Sequence, residues 1–162
     1  MACIVCGIET DKRRCRPCHE VFNFVSRLTP QLVPDYIVIV DGSVGPTDTG
    51  HADAGAGLVL AREYNESVVA CVACAFKATS SDDAELEAIK RATWWAPLDF
   101  VWSDNKNAIN IFNSIYGVSS AKYIRPHMRD PLHNLAHRLA NIGRQRAWDR
   151  LDRIWLPGEV WP

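Results

Sequence analysis

A run of five residues, Tyr36-Ile37-Val38-Ile39-Val40, most narrows the folds that this sequence can adopt. The run contains no charged residue, whereas a strand with one solvated face would alternate between apolar and polar residues. A continuous β-branched run of this kind is typical of a central strand that is buried on both faces of its sheet. We therefore expect an α/β domain in which helices flank the sheet.

The segments after this run predict a mixed sheet of five strands. Two apolar stretches on either side of Glu63-Tyr64-Asn65-Glu66 read as a hairpin. Small residues at Ala84, Ala88 and Ala92, followed by Trp95, recur at helical spacing and would let a helix pack closely on the sheet. The predicted strands are 36–40, 56–62, 67–78, 100–102 and 154–156. Three helices are expected: Ser80-Ser81-Asp82-Asp83 supplies the capping residues of the first, Ser103-Asp104 caps the second, and Pro131 starts the third.

The length of 162 residues leaves room for one ordinary domain and at most one mini-domain. With 48% hydrophobic and 23% charged residues, the composition is that of a globular protein and excludes a disordered one. The longest apolar run, Val68–Phe76, has nine residues, about half of what a membrane-spanning helix needs. The segment Met1–Cys6 lacks the features of a secretory signal, so we expect a cytoplasmic protein without a membrane partner.

Charge is distributed unevenly along the chain, although the formal net charge is only −1. Residues 1–30 carry a net charge of +2, residues 31–120 carry −7 and residues 121–153 carry +5. An acidic centre between basic ends suits a protein that holds divalent cations centrally and grips a polyanion with its flanks. Chance segregation of the charges would explain the same distribution.

Four cysteines near the start form two close pairs, Cys3-x-x-Cys6 and Cys15-x-x-Cys18. Two such pairs supply the four thiolates of a tetrahedral Zn²⁺ site, and a segment of about 30 residues does not otherwise fold alone. We expect residues 1–30 to form a zinc knuckle, which docks either nucleic acid or protein. Cys15-Arg16-Pro17-Cys18-His19 also matches the haem attachment motif, but we expect no haem, because the first cysteine pair would then have no role.

Three carboxylates stand where predicted elements begin or end. Asp41 follows the first strand, Asp104 follows the fourth strand, and Glu85 lies in the first turn of the helix between them. Side chains at the ends of neighbouring strands converge at one edge of an open sheet. Three clustered carboxylates repel each other, and divalent cations such as Mg²⁺ or Mn²⁺ relieve that repulsion. A pair of such ions can activate a water and stabilise the leaving oxygen of a phosphodiester.

Five short motifs in this order resemble ribonuclease H: Asp41-Gly42-Ser43, Gly55-Ala56-Gly57, Ala84-Glu85-Leu86-Glu87-Ala88, Ser103-Asp104 and Trp155-Leu156-Pro157-Gly158. The resemblance covers residues 36–158 and implies a ribonuclease H-like domain over residues 35–162. It also implies a two-metal endonuclease that cuts the RNA strand of an RNA–DNA hybrid. By the same resemblance, Asp41 would bridge both ions, Glu85 and Asp104 would bind the second ion, and Ser43, Ser81 and Asn105 would lie near the backbone of the hybrid.

The chain departs from the family pattern at its end. After the Trp-x-Pro-Gly motif the family usually has a histidine, followed by a helix with a fourth acidic ligand. Here Glu159 stands at the histidine position, and the sequence ends at Pro162. We expect the strand 154–156 to border the carboxylate cluster, and we expect Glu159 to complete the catalytic site in a domain that lacks the usual final helix.

Two other functions stay open at this level. One is a structure-selective DNA nuclease of the same fold, such as a junction resolvase. The other is a non-catalytic, zinc-containing module that binds nucleic acid.

His133 and His137 have the i, i+4 spacing of a zinc pair, but no third ligand is evident from the sequence, so we expect them on a solvated or phosphate-facing surface.

The cysteine spacing yields the first testable prediction. The protein should contain one equivalent of Zn²⁺ when it is purified without chelator, because Cys3, Cys6, Cys15 and Cys18 complete one tetrahedral site. Elemental analysis of the purified protein measures the zinc content. Less than half an equivalent, in a protein whose first 30 residues resist proteolysis, would contradict the prediction.

Overall fold

The computed structural model describes residues 9, 11, 36–46, 52–93, 100–116, 121–125, 128–146, 152–155 and 162. Within these ranges the chain forms a mixed α/β fold of six strands and three helices. No helix in them is long and apolar enough to cross a membrane. The elements are β1 (Tyr36–Val44), β2 (Ala52–Arg62), β3 (Val68–Ala78), α1 (Ser81–Ala92), β4 (Val101–Ser103), α2 (Lys106–Tyr116), β5 (Lys122–Tyr123), α3 (Asp130–Gln145) and β6 (Arg153–Trp155).

The six strands form one sheet in the order β5-β4-β1-β2-β3-β6. Strands β1, β2 and β3 are an antiparallel meander, whereas β4 and β5 extend the sheet in parallel with β1. The central position of β1 confirms the prediction from its apolar run. The sheet has one strand more than predicted, because Lys122–Tyr123 pairs with the end of β4. A strand of two residues is too short to leave a periodic signal in the sequence.

Apolar cores lie on both faces of the sheet. One core contains Val38 and Val40 of β1 and packs against α1 and α2. The other contains Ile37 and Ile39 and packs against α3. The predicted small-residue stripe of α1 is fully buried at Ala84, Ala88 and Ala92. Cys71 and Cys74, three residues apart in β3, belong to opposite cores, as the alternation of side chains along a strand requires.

The last strand lies at the edge of the sheet that is opposite to the expected one. Strand β6 pairs antiparallel with β3, so it borders neither β1 nor β4. Asp152, directly before β6, forms a largely buried ion pair with Arg91 of α1 at 3.0 Å, and Trp155 fills the core beneath α3. The expectation that this strand borders the carboxylates was wrong. The short match at Trp155-Leu156-Pro157-Gly158 carried no information about which strand the segment would pair with.

Helix α3 lies unusually close to the sheet, because glycines remove the side chains that would separate them. A Cβ atom built on Gly55 or Gly57 of β2 would collide with the backbone carbonyls of Ala140 and Ala136, respectively. A Cβ on Gly143 of α3 would collide with the carbonyl of Cys74 on β3. Backbone therefore packs directly on backbone along this helix, and neither partner is a flexible side-chain end that could move away.

This contact predicts a large effect of a single methyl group. Gly57→Ala should lower the free energy of unfolding by about 1–3 kcal/mol or more, because α3 must move off the sheet. Gly45→Ala is the matched control, since its Cβ would meet its nearest neighbour, the carbonyl oxygen of Asp53, at 3.5 Å. Urea unfolding of both variants measures the difference. Equal stability of the two variants would contradict the close packing of α3.

Candidate active site

Asp41, inside β1, and Asp104, directly after β4, lie side by side on two neighbouring parallel strands. The register of β1 and β4 pairs Ile39 with Trp102, and two residues further along each strand the chain reaches Asp41 and Asp104. One carboxylate oxygen of each and one ring nitrogen of His133 all lie within 4.8 Å of one another. Asp41 is 4% exposed, whereas Asp104 is open to solvent. The structure therefore brings together the two strand-end carboxylates, as predicted.

Glu85 reaches the same cluster from the first turns of α1. The helix begins as predicted, because the Ser80 hydroxyl accepts a hydrogen bond from the backbone N–H of Asp83. Gly42 lets this end of the helix lie against β1, since a Cβ on Gly42 would sit 2.7 Å from the backbone nitrogen of Glu85. Glu85 is 7% exposed, and its Oε2 atom has no hydrogen-bond partner among the described residues.

The surroundings of Glu85 oppose its ionisation. Burial raises the pKa of Glu85 well above its ordinary value of 4.5, and the charge of Asp41 and the hydrogen bond shared with Asp41 raise it further. Asp104 adds a smaller repulsion, and only a hydrogen bond with the backbone of Gly42 favours the carboxylate form. Without a cation, the three acidic side chains together therefore carry less negative charge than they would if all of them were ionised.

Two histidines of α3 contact the strand-end carboxylates from the other face of the sheet. His137 Nδ1 lies 2.8 Å from Oδ2 of Asp41, in a hydrogen bond. His133 Nε2 lies 3.0 Å from Oδ2 of Asp104, but its N–H direction does not suit a hydrogen bond. The contact with Asp104 raises the pKa of His133, while burial opposes the increase. His133 is thus only partly solvated, and a phosphate-facing role for it stays a prediction. The i, i+4 spacing was the sequence signal that the two histidines share one face of the helix.

Asn105, and not the predicted Ser103-Asp104, caps the start of helix α2. Its side-chain oxygen accepts a hydrogen bond from the backbone N–H of Ala108 at the start of α2, and its amide donates to Asp82 at 3.0 Å. The expectation that Ser103-Asp104 caps this helix was wrong. Because Asn105 is the cap, the carboxylate of Asp104 stays available to the cluster.

The other predicted site residues lie in several places. Ser43 donates a hydrogen bond from its hydroxyl to the side-chain oxygen of Asn141 on α3 at 2.8 Å, and Ser81 is exposed at the first position of α1. Roles for Ser43, Ser81 and Asn105 in contacting nucleic acid stay predictions. Glu159 and the four cysteines of the predicted zinc site, Cys3, Cys6, Cys15 and Cys18, lie outside the described residues.

A polar pocket opens beside the carboxylates, on the side of β5. Its volume is about 380 Å³, and it is lined by Glu85, Asp104, Asn105, Lys106, Asn107 and Tyr123. The ammonium group of Lys106 lies 4.5 Å from the centre of the Tyr123 ring. Lys122 and Arg129 lie 5.9 Å and 4.8 Å from the centre of the Trp102 ring. Tyr123 packs on the face of the sheet that α1 and α2 cover, whereas Trp102 packs on the α3 face, so cations and aromatic rings are present on both faces.

Comparison with known proteins gives one distant structural similarity. An N-terminal RNase H domain from Mycobacterium tuberculosis, solved as a fusion protein with maltose binding protein, has 18% sequence identity and a TM-score of 0.44. The match covers 69% of this chain and 96% of that chain. No family model matches the chain. No curated protein matches it either. The activity therefore has to be argued from the side chains of this chain.

The buried carboxyl of Glu85 predicts a pH-dependent stability. Its pKa is raised in the folded protein, so above about pH 5 the folded state keeps a proton that the unfolded chain loses, and stability falls as pH rises. Glu85→Gln should reduce this fall by up to about 1.4 kcal/mol per pH unit and leave the variant more stable at pH 8.

Urea unfolding between pH 5 and pH 8 without added divalent ions measures the effect. Glu63→Gln removes an exposed turn carboxylate and serves as the control, which should follow the unchanged protein. A Glu85→Gln variant that is less stable than the unchanged protein at pH 8 would contradict the prediction, because it would show that the folded protein stabilises the ionised carboxylate.

Proposed function

We propose that this protein is a ribonuclease H-type, metal-dependent endonuclease that hydrolyses the RNA strand of RNA–DNA hybrids. The observation that carries the proposal is the convergence of Asp41, Glu85 and Asp104 from two strand ends and one helix. Such a cluster is costly to a fold, since burial and mutual repulsion both act against it. A requirement for a charged ligand explains why these residues stand together.

The residues present suit hard divalent cations. Carboxylate oxygens are the donors that Mg²⁺ and Mn²⁺ prefer, and the Oε2 atom of Glu85 is buried without a partner. Asp41, Glu85 and Asp104 would hold such ions, which supply an activated water and stabilise the leaving oxygen. The chain itself fixes the donors: β1 and β4 hold the two aspartates in register, and the capped helix α1 holds Glu85 against them.

The pocket beside Asp104 supports a polyanionic substrate. The exposed side chain of Lys106 can pair with phosphates, and the amide of Asn107 can donate to phosphate or sugar oxygens. The choice of an RNA–DNA hybrid rests on the resemblance of the ordered motifs to ribonuclease H. The predicted zinc knuckle, with its arginines, would add a second contact to the nucleic acid.

The function is tested by substrate choice. The full-length protein is incubated with end-labelled RNA–DNA hybrid, double-stranded DNA and a four-way DNA junction, each with Mg²⁺ or Mn²⁺. We expect cuts in the RNA strand of the hybrid only. Preferred cleavage of the junction would favour the resolvase-like alternative, and binding of nucleic acid without cleavage would favour the non-catalytic module.

Loss of one strand-end carboxylate should remove the activity without unfolding the protein. Asp104→Asn should slow hybrid cleavage at least about 100-fold, or about 2.7 kcal/mol, because one anionic ligand is lost. Asp53→Asn is the control, since Asp53 is an exposed carboxylate paired with Lys77 and such pairs contribute little. Near-full activity of Asp104→Asn would show that the carboxylate cluster is not the active site.

A further inference from the structure

Three potential metal ligands meet at the carboxylate cluster from three different elements. Asp41 lies in β1, Asp104 directly follows β4, and His133 belongs to α3, which packs on the face of the sheet opposite to α1. One oxygen or nitrogen atom of each lies within 4.8 Å of the others. Ligands about 2.1 Å from a metal lie about 3–4 Å apart, so small movements of these side chains would let one ion contact all three.

Two buried polar atoms at the same place have no hydrogen-bond partner among the described residues. His133 Nε2 is buried and has no hydrogen-bond partner among the described residues, although Asp104 lies 3.0 Å away. Independently, Glu85 is 93% buried next to Asp41, and its Oε2 atom is also without a partner there. A buried polar atom without a partner is energetically unfavourable. A bound cation would satisfy an imidazole nitrogen and a carboxylate oxygen together.

His137 supports the cluster one helical turn further along α3. Its Nδ1 donates to Oδ2 of Asp41, while 61% of the side chain is exposed. A donor of this kind orients a carboxylate that binds a metal and is a common feature around metal ligands. His137 is therefore a positioning residue, whereas His133 presents a free nitrogen to the cluster.

We propose that His133 is a metal ligand, and that Asp41, Asp104 and His133 form a mixed nitrogen and oxygen site that favours transition-metal dications such as Mn²⁺ over Mg²⁺. Imidazole nitrogen is a good ligand for transition metals, whereas Mg²⁺ is bound almost entirely by oxygen. The inference deepens the proposed function, and its catalytic consequence rests on that function. The site itself can be measured without nucleic acid and without turnover.

The test uses Mn²⁺ as the probe, with the full-length protein and its zinc content left untouched. Binding is followed from the EPR signal of free Mn²⁺, and electron spin-echo modulation detects ¹⁴N bound to the ion. We expect ¹⁴N coupling in the unchanged protein and tighter binding of Mn²⁺ than of Mg²⁺ in competition. Bound Mn²⁺ without ¹⁴N coupling would overturn the proposal, whatever the variants do.

Three variants on the same helix assign the nitrogen. His133→Gln should abolish the ¹⁴N coupling and weaken Mn²⁺ binding at least tenfold, whereas His137→Gln should keep the coupling and weaken binding less. Asn134→Ala, at an exposed position beside His133, is the control and should match the unchanged protein. Thermal unfolding without added Mn²⁺ checks that each variant is folded. Coupling that survives in His133→Gln but disappears in His137→Gln would overturn the assignment to His133.

The test of this metal site and the test of the proposed nuclease activity can fail independently of each other. Nitrogen-coupled Mn²⁺ in a protein that cuts no nucleic acid would support this site and contradict the nuclease. Hybrid cleavage in a protein whose bound Mn²⁺ shows no ¹⁴N coupling would support the nuclease and contradict this site.

Discussion

The direct contact of the α3 backbone with strands β2 and β3 determines what surrounds the carboxylate cluster. Gly55, Gly57 and Gly143 bring helix and sheet closer than any side chain at these positions would allow. At that distance the imidazole side chains of His133 and His137 lie 3.0 Å from Asp104 and 2.8 Å from Asp41. A helix displaced from the sheet would lengthen both contacts. The glycines thus act on the chemistry of the cluster although none of them lies in it.

The carboxylate cluster is an example of a site whose requirements oppose stability. Glu85 is buried beside Asp41 with an oxygen that nothing in the described part of the chain satisfies, and burial raises its pKa. The fold supports this unfavourable group with favourable contacts on either side. The Ser80 cap fixes the start of α1, and the alanines of α1 are fully buried in the core between this helix and the sheet. A bound cation would convert the repulsion among the carboxylates into attraction, which couples metal binding to stability.

Some features followed from local sequence because a short-range rule governs them. The central position of β1 followed from an uninterrupted apolar run, the burial of Ala84, Ala88 and Ala92 from helical periodicity, and the separation of Cys71 and Cys74 from the alternation of a strand. The meeting of Asp41 and Asp104 needed one further assumption, that their strands are neighbours, and the parallel pairing of β1 with β4 confirms it. The placement of β6 failed, because nothing in three residues of strand states which edge they will join.

By itself the sequence determined which residues are buried and where the acidic groups stand along the chain, since both depend on periods of two or about 3.6 residues. Only the tertiary structure decided which groups face those acids. His137 is 96 residues away from Asp41 in sequence, and the rotation of α3 that joins them is set by backbone contacts at Gly55, Gly57 and Gly143. The spacing of His133 and His137 said that they share a face of the helix. It could not say that this face is turned toward the ends of β1 and β4, because that direction is fixed by packing between distant segments.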